Sequence, residues 1–172
     1  MIKLIGILLL ISTTVVFAEV KDASKIDSAP TILKVNPLVY DRTVQGGMNE
    51  VYKNIFTALE NNSYYVIFEP NIGKNLSHFA KRWGSDYNTN NLKSIRSMVF
   101  CSAWYANKIS NLDPSMLALC PLRITLYTKD NETHILFVRP GKVAETSKAQ
   151  KIAKELEDDV IRTIEVAISS LN

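Results

Sequence analysis

The sequence predicts an α+β fold, with a mostly antiparallel sheet, helices packed on one face of it and a long C-terminal helix. Three observations predict this class. Strand-like and helix-like stretches interleave along the chain, residues 122–139 show the alternation of a β-hairpin, and residues 146–171 carry an apolar stripe at helical spacing. An antiparallel hairpin combined with amphipathic helices is typical of a sheet that buries one face under helices.

The first eighteen residues have the pattern of a signal peptide. Lys3 supplies a basic start, residues 4–17 are mostly apolar, and Ala18 ends a small-residue cleavage pattern. We therefore expect cleavage before Glu19 and a periplasmic or secreted protein, with an uncleaved anchor as the alternative.

The rest of the chain is long enough for one domain with its own core. Residues 19–43 are interpreted as an N-terminal leader that includes an edge strand, and residues 44–172 as a single α+β domain. Short β-prone runs at 31–35 and 38–44 flank Asn36-Pro37, and the prolines favour an edge position for a strand there.

Local apolar patterns, ended by Gly, Asn and Pro, define the next elements. In chain order they are a helix at 48–61, a strand at 64–68, a helix at 75–83, a polar loop at 85–91, a strand at 95–101, a short helix at 103–112 and one further turn at 115–119.

The C-terminal third contains the clearest patterns. Leu122, Ile124 and Leu126 alternate with polar residues in a strand at 122–128, a turn follows at 129–132, and a second strand returns at 133–139. The final helix is predicted at 146–171. Glu157-Asp158-Asp159 falls on its predicted polar face, where we expect the carboxylates to be solvated.

Composition and motifs exclude several classes of function. The chain is 47% hydrophobic and 22% charged, with a net charge of only +3 and no basic stripe, so no nucleic-acid partner is expected. No second long apolar run follows the signal, so we expect no stable membrane insertion after cleavage. Serine-nucleophile motifs and glycine-rich phosphate loops are absent. No cofactor is predicted, and a non-enzymatic role is favoured.

Cys101 and Cys120 are the only cysteines in the sequence. If the strands that they flank are antiparallel, the two thiols lie close together, and an oxidising compartment would join them in a disulfide. Two alternatives stay open, namely separate buried thiols and a functional pair. A functional pair would cycle redox state or, with His134, bind copper or zinc through soft ligands.

A second set of residues is predicted to bind a ligand. Arg123 and Tyr127 share one face of the first hairpin strand, Arg96 is expected to join them from the neighbouring strand, and Trp104 and Tyr105 follow just beyond. Arginines beside aromatic rings suit an anionic or amphipathic ligand, or a dimer surface. The alternative interpretation is the solvent side of a one-sided sheet.

Several short motifs together resemble the domain-of-unknown-function 302 family across residues 44–144. They are Phe100-Cys101, Asp113-Pro114 and Cys120-Pro121-Leu122-Arg123-Ile124, followed by Tyr127, Asp130 and Pro140. The resemblance implies a small α+β domain with an antiparallel sheet backed by helices, and members that often pair as dimers. It implies no activity and no functional residue.

Together these observations favour an exported, non-enzymatic module that binds a small ligand or a partner and is stapled by a disulfide. The alternatives are a thiol- or metal-dependent redox protein that uses Cys101 and Cys120, and a structural module that forms a homodimer.

Overall fold

A computed structural model describes residues 36–171. The predicted signal peptide, most of the predicted leader and the candidate strand at 31–35 lie outside the described residues. Within 36–171, no helix combines the length and the apolarity needed to cross a bilayer.

Five strands form one antiparallel sheet in the order β1-β5-β4-β3-β2. The strands are β1 (Val39–Gln45), β2 (Tyr65–Phe68), β3 (Ser94–Cys101), β4 (Leu122–Lys129) and β5 (Glu132–Val138). The predicted fold class is confirmed. The run at 38–44 forms the edge strand β1, which begins before the domain boundary predicted at residue 44.

Six α-helices accompany the sheet within the described range. They are α1 (Met48–Asn61), α2 (Ile72–Ser77), α3 (Ala80–Trp83), α4 (Ala103–Leu112), α5 (Pro140–Val143) and α6 (Gln150–Ile168). The bounds of α1 and α4 are the predicted ones. A 3-10 helix at Pro114–Leu119 replaces the predicted extra turn and leads into β4 through Cys120.

The core lies between one face of the sheet and helices α1, α4 and α6. Alternate strand residues point into it, and the apolar stripe of α6 packs against them. The buried strand residues include Met98, Phe100, Ile124, Leu126, Ile135 and Phe137, and the buried α6 residues include Leu156, Val160 and Ile164. We call this side of the sheet the covered face. The opposite side, which carries Val99, Arg123, Thr125, Tyr127, His134, Leu136 and Val138, is the open face.

The predicted hairpin is confirmed, and its turn has a clear local cause. Asp130 and Asn131 both adopt positive φ, at 50° and 66°. Two consecutive residues in this region form the tight turn that matches the twist of the flanking strands, and Asp and Asn tolerate it best after glycine.

Two predicted helices are wrong in extent. The helix expected at 75–83 is two short helices, α2 and α3, which are separated where Phe79 adopts φ −102° and ψ 0°. The helix expected at 146–171 begins only at Gln150, because residues 144–149 form turns, and it ends at Ile168 in a 3-10 helix at Ser169–Leu171.

Glu157 is not solvated, contrary to the expectation for the acidic run in α6. Its side chain is 0% exposed, and Arg139 donates to Oε1 from Nε and Nη2 at 2.9 and 2.7 Å. The backbone N–H of Gly141 donates to Oε2 at 3.0 Å. Glu157 follows Ala153 by four residues and precedes Val160 by three, so helical spacing places it on the apolar stripe.

Candidate functional site

The two cysteine thiols are in contact but not bonded. Antiparallel pairing of Phe100 with Leu122 brings the end of β3 beside the start of β4. The Sγ atoms of Cys101 and Cys120 lie 3.3 Å apart, well beyond the S–S bond length of about 2.05 Å. The predicted proximity is confirmed, whereas the expected disulfide is not present in this structure.

The two thiols are partly buried beside an apolar crevice. Burial, followed by the contact with Cys101, raises the pKa of the Cys120 thiol to about 11. The adjoining crevice, which Tyr105, Ile109 and Met116 help to line, holds only about 20 Å³, enough for roughly one water molecule. A thiol that stays protonated is a weaker nucleophile than a thiolate.

His134 does not lie near the cysteines. It pairs with Tyr127 across the sheet and stacks on the Tyr127 ring, with centroids 4.4 Å apart, and its Nδ1 is 3.0 Å from Thr43 Oγ1. Tyr127 pairs with Ile95, at the opposite end of β3 from Cys101. Cys101, Cys120 and His134 therefore cannot share one metal ion. In residues 36–171, no group of three His, Cys, Asp or Glu side chains is placed to hold one.

Arg123 and Tyr127 share the open face, as the alternation in β4 predicted. Arg96 does not join them. It pairs with Leu126, whose side chain is in the core, so Arg96 points to the covered side. There its guanidinium carbon lies 3.7 Å from the centroid of the Tyr52 ring in α1, a cation–π contact.

Trp104 and Tyr105 also lie apart from Arg123. Tyr105 stacks on Tyr64, which is buried on the covered side, with centroids 6.3 Å apart. Trp104 contacts Tyr105 edge to face at 4.7 Å and is 56% exposed beneath the ammonium of Lys108. The five residues predicted to bind a ligand therefore occupy three places rather than one.

A shallow apolar cavity of about 340 Å³ does adjoin Arg123. It lies where the start of β4 meets the end of the 3-10 helix, and we call it the Arg123 cavity. Its lining is Val99, Ala118, Leu119, Pro121, Leu122, Arg123, Phe137, Val138 and Pro140. Arg123 is exposed and has no ion-pair or hydrogen-bond partner among residues 36–171, so its guanidinium is available at the rim.

A larger cleft of about 660 Å³ lies at the other end of β3, between α2–α3 and the loop at 86–92. The sequence analysis missed it. Trp83 and Tyr87 flank this cleft beside a run of amide and hydroxyl side chains. Two aromatic residues bordering an Asn-rich loop are the signal that could have marked it.

The geometry defines a small α+β domain with one five-stranded antiparallel sheet, and the comparisons with known proteins refine that class. The family model for "Domain of unknown function DUF302" matches residues 40–171. The chain therefore belongs to the DUF302 family, as its motifs suggested.

A solved structure supports the fold independently. An uncharacterized conserved DUF302 protein from Bacillus stearothermophilus is similar to this chain with a TM-score of 0.61 and 16% sequence identity, over 80% of this chain and 100% of that chain. At this identity the similarity shows the fold alone. No curated protein matches the sequence.

Proposed function

We propose that this DUF302 protein is an exported, non-enzymatic domain that binds small amphipathic anions in the Arg123 cavity. We further propose that Cys101 and Cys120 form a disulfide beside that cavity after export. The observation that carries the proposal is an apolar cavity with Arg123 at its rim, a cation that is unpaired within residues 36–171.

The lining of the Arg123 cavity suits a ligand with an apolar body and one acidic group. Eight of its nine lining residues are apolar, and ligand cavities are mostly apolar with few polar groups that fix orientation. The planar guanidinium of Arg123 matches a carboxylate or a phosphate through two parallel hydrogen bonds.

A bond between the cysteines would fix one wall of this cavity. Leu119 and Pro121, the two neighbours of Cys120, both line it. Exchange with a disulfide-bearing oxidant would remove two protons and two electrons from the thiols and reduce the oxidant's disulfide to two thiols. Closing the loop between Cys101 and Cys120 with a disulfide stabilises the fold by about 3 kcal/mol in the chain-entropy model.

Binding can be tested with octanoate as the probe, by calorimetry and by NMR chemical-shift mapping. We expect Arg123→Gln to weaken octanoate binding about tenfold or more, since a charge-assisted hydrogen bond is lost, and Arg123→Lys to weaken it less. Arg82→Gln is the matched control, because Arg82 is also exposed and lies in α3. Equal binding by Arg123→Gln and the parent would refute the proposed site.

A thiol redox protein is the second candidate, and the 3.3 Å contact between the Sγ atoms favours it. A structural disulfide can be distinguished from a redox-active one by counting thiols. The measurement is mass spectrometry on protein from its native compartment, across a glutathione series. A disulfide with a reduction potential below about −300 mV supports the structural role. A disulfide that is reduced at less negative potentials supports the redox role. N-terminal sequencing of the same sample tests cleavage before Glu19.

A further inference from the structure

The cleft between α2–α3 and the loop at 86–92 is a second cavity that the proposed function does not use. It is separate from the Arg123 cavity and shares no lining residue with it. Its floor is the start of β3, at Ser94 and Ile95. A volume of about 660 Å³ is in the range of small-molecule sites.

The α2 wall of this cleft is held in place by a close backbone contact. A Cβ atom at Gly73 would lie 3.1 Å from the backbone nitrogen of Ile95, so the glycine allows α2 to approach β3. The side-chain oxygen of Asn71 accepts from the N–H of Lys74 at 2.9 Å and fixes the first turn of α2.

The opposite wall is a loop that is fixed by its own side chain. Asn88 donates from Nδ2 to the carbonyl of Leu92 and accepts at Oδ1 from the N–H of Leu92, both at 2.9 Å. Asn88 and Asn91 adopt positive φ, at 49° and 56°, which asparagine tolerates. Both walls are therefore fixed by contacts within the chain, and a preformed site lowers the entropic cost of binding.

The cleft combines one aromatic surface with a polar rim. Trp83 lines it and is 40% exposed, and Phe79 stacks behind Trp83 with ring centroids 5.2 Å apart. Thr89, Asn90 and Ser94 add donors and acceptors, and none of them uses its side chain in a hydrogen bond within residues 36–171. A sugar ring presents the complementary surfaces, because its C–H face is apolar and its edge carries hydroxyl groups.

The charges of the cleft favour an acidic ligand. Lys74 and Lys93 line it, and neither forms an ion pair within the described residues. Asp86 is the one carboxylate in the lining, so positive charge is in excess. A carboxylate on a sugar would meet these two exposed ammonium groups at the rim of the cleft.

We propose that the cleft between α2–α3 and the loop at 86–92 binds an acidic saccharide, with a sugar ring on Trp83 and its carboxylate toward Lys74 and Lys93. This proposal does not depend on the Arg123 cavity. An aromatic acid fits less well, because a flat ring carries no hydroxyl groups to hydrogen-bond with Thr89, Asn90 and Ser94.

The test uses trigalacturonate as the acidic probe and maltotriose as the neutral one, with calorimetry and tryptophan fluorescence as readouts. We expect trigalacturonate to bind and maltotriose to bind at least about tenfold more weakly. Trp83→Leu should weaken trigalacturonate binding about fivefold, and the double variant Lys74→Gln with Lys93→Gln about tenfold. Circular dichroism verifies that each variant is folded.

Three matched variants serve as controls. Trp104→Leu removes the other tryptophan, Lys151→Gln removes an exposed lysine on α6, and Arg123→Gln removes the cation of the other cavity. All three should bind trigalacturonate as the parent does. The proposal is overturned if trigalacturonate does not bind, if maltotriose binds equally well, or if Trp104→Leu has the effect expected of Trp83→Leu.

Discussion

The covered and open faces of the sheet differ in the hydrogen-bond partners and the exposure of their polar side chains. On the covered side, three tyrosine hydroxyls donate to carboxylates. Tyr40 donates to Glu165 at 2.6 Å, Tyr52 to Glu69 at 2.8 Å and Tyr64 to Asp159 at 2.7 Å. On the open face Arg123 has no such partner in the part of the chain that the structure describes, and Val138 is 45% exposed.

Because of this difference, we expect the covered side to determine the stability of the fold and the open face to be available for binding. Groups that are buried and paired on the covered side are costly to change, since a lost partner leaves a polar atom without water. Arg123 on the open face is exposed and keeps its hydration and its capacity to bind. Substitutions on the two sides should therefore differ in size, and the following predictions test that difference from the largest effect to the smallest.

The largest effect is expected at Glu157. Glu157→Ala should lower the free energy of unfolding by about 3 kcal/mol or more, because the half-buried Arg139 and the N–H of Gly141 lose their acceptor. Urea unfolding followed by circular dichroism measures it. Asp158→Ala is the control on the same helix. Asp158 pairs with Lys154 at the surface, where a salt bridge contributes roughly 0–1 kcal/mol. Similar losses in both variants would contradict the comparison.

A smaller effect is expected from adding one methyl group at Gly141. Its Cβ would lie 2.8 Å from the Cα of Lys154, a backbone atom that cannot easily move. Gly141→Ala should destabilise the fold by about 1–3 kcal/mol, measured as a lower urea midpoint. Gly47→Ser is the control. A Cβ there meets nothing within 4 Å, and the added hydroxyl can cap α1, so stability should be unchanged or slightly higher.

The smallest effect depends on pH. Burial, together with a hydrogen bond to a carboxylate, raises the pKa of Tyr40, Tyr52 and Tyr64 far above the ordinary value of 10.0. Their contribution to stability should be constant below pH 10 and should fall as the pH rises from there, since only the unfolded state ionises easily.

Unfolding free energies measured at increasing alkaline pH test this dependence. Tyr64→Phe should cost about 1 kcal/mol at neutral pH and should flatten the alkaline decline. Tyr65→Phe is the control, because Tyr65 is 58% exposed and has no side-chain hydrogen bond in the described region. An unchanged alkaline slope in Tyr64→Phe would show that this hydroxyl does not carry the effect.

Sequence patterns predicted the elements whose apolar faces meet the core. Helix α1 and the β4–β5 hairpin agree with prediction because their periodicity and their burial coincide, as at Ile55 and Ile124. Helices α2 and α3 deviate because Leu76, Phe79 and Trp83 recur at helical spacing but stay 36–46% exposed in and around the cleft. None of these three side chains belongs to the core formed by residues 36–171, so the core does not keep that helix continuous.

The candidate sites were less predictable, because they depend on strand register and on loops. Alternation placed Arg123 and Tyr127 on one face, but assigning Arg96 required the register that pairs it with Leu126. The cleft is built around the turn between Asn88 and Leu92, and a turn has no periodic pattern of apolar residues that would reveal it in the sequence. The contact between the thiols was predictable because strand ends alone determine it.

The pairing of β1 with β5 has a consequence for how the chain assembles. Val39 pairs with Val138, so the first strand of the sheet cannot complete its hydrogen bonds until most of the chain has been made. The α1 segment that follows β1 also packs against α6, near the C-terminus. A chain that emerges N-terminus first would therefore remain incompletely folded until its last third arrives, which is the state in which a polypeptide can still be threaded through a narrow pore.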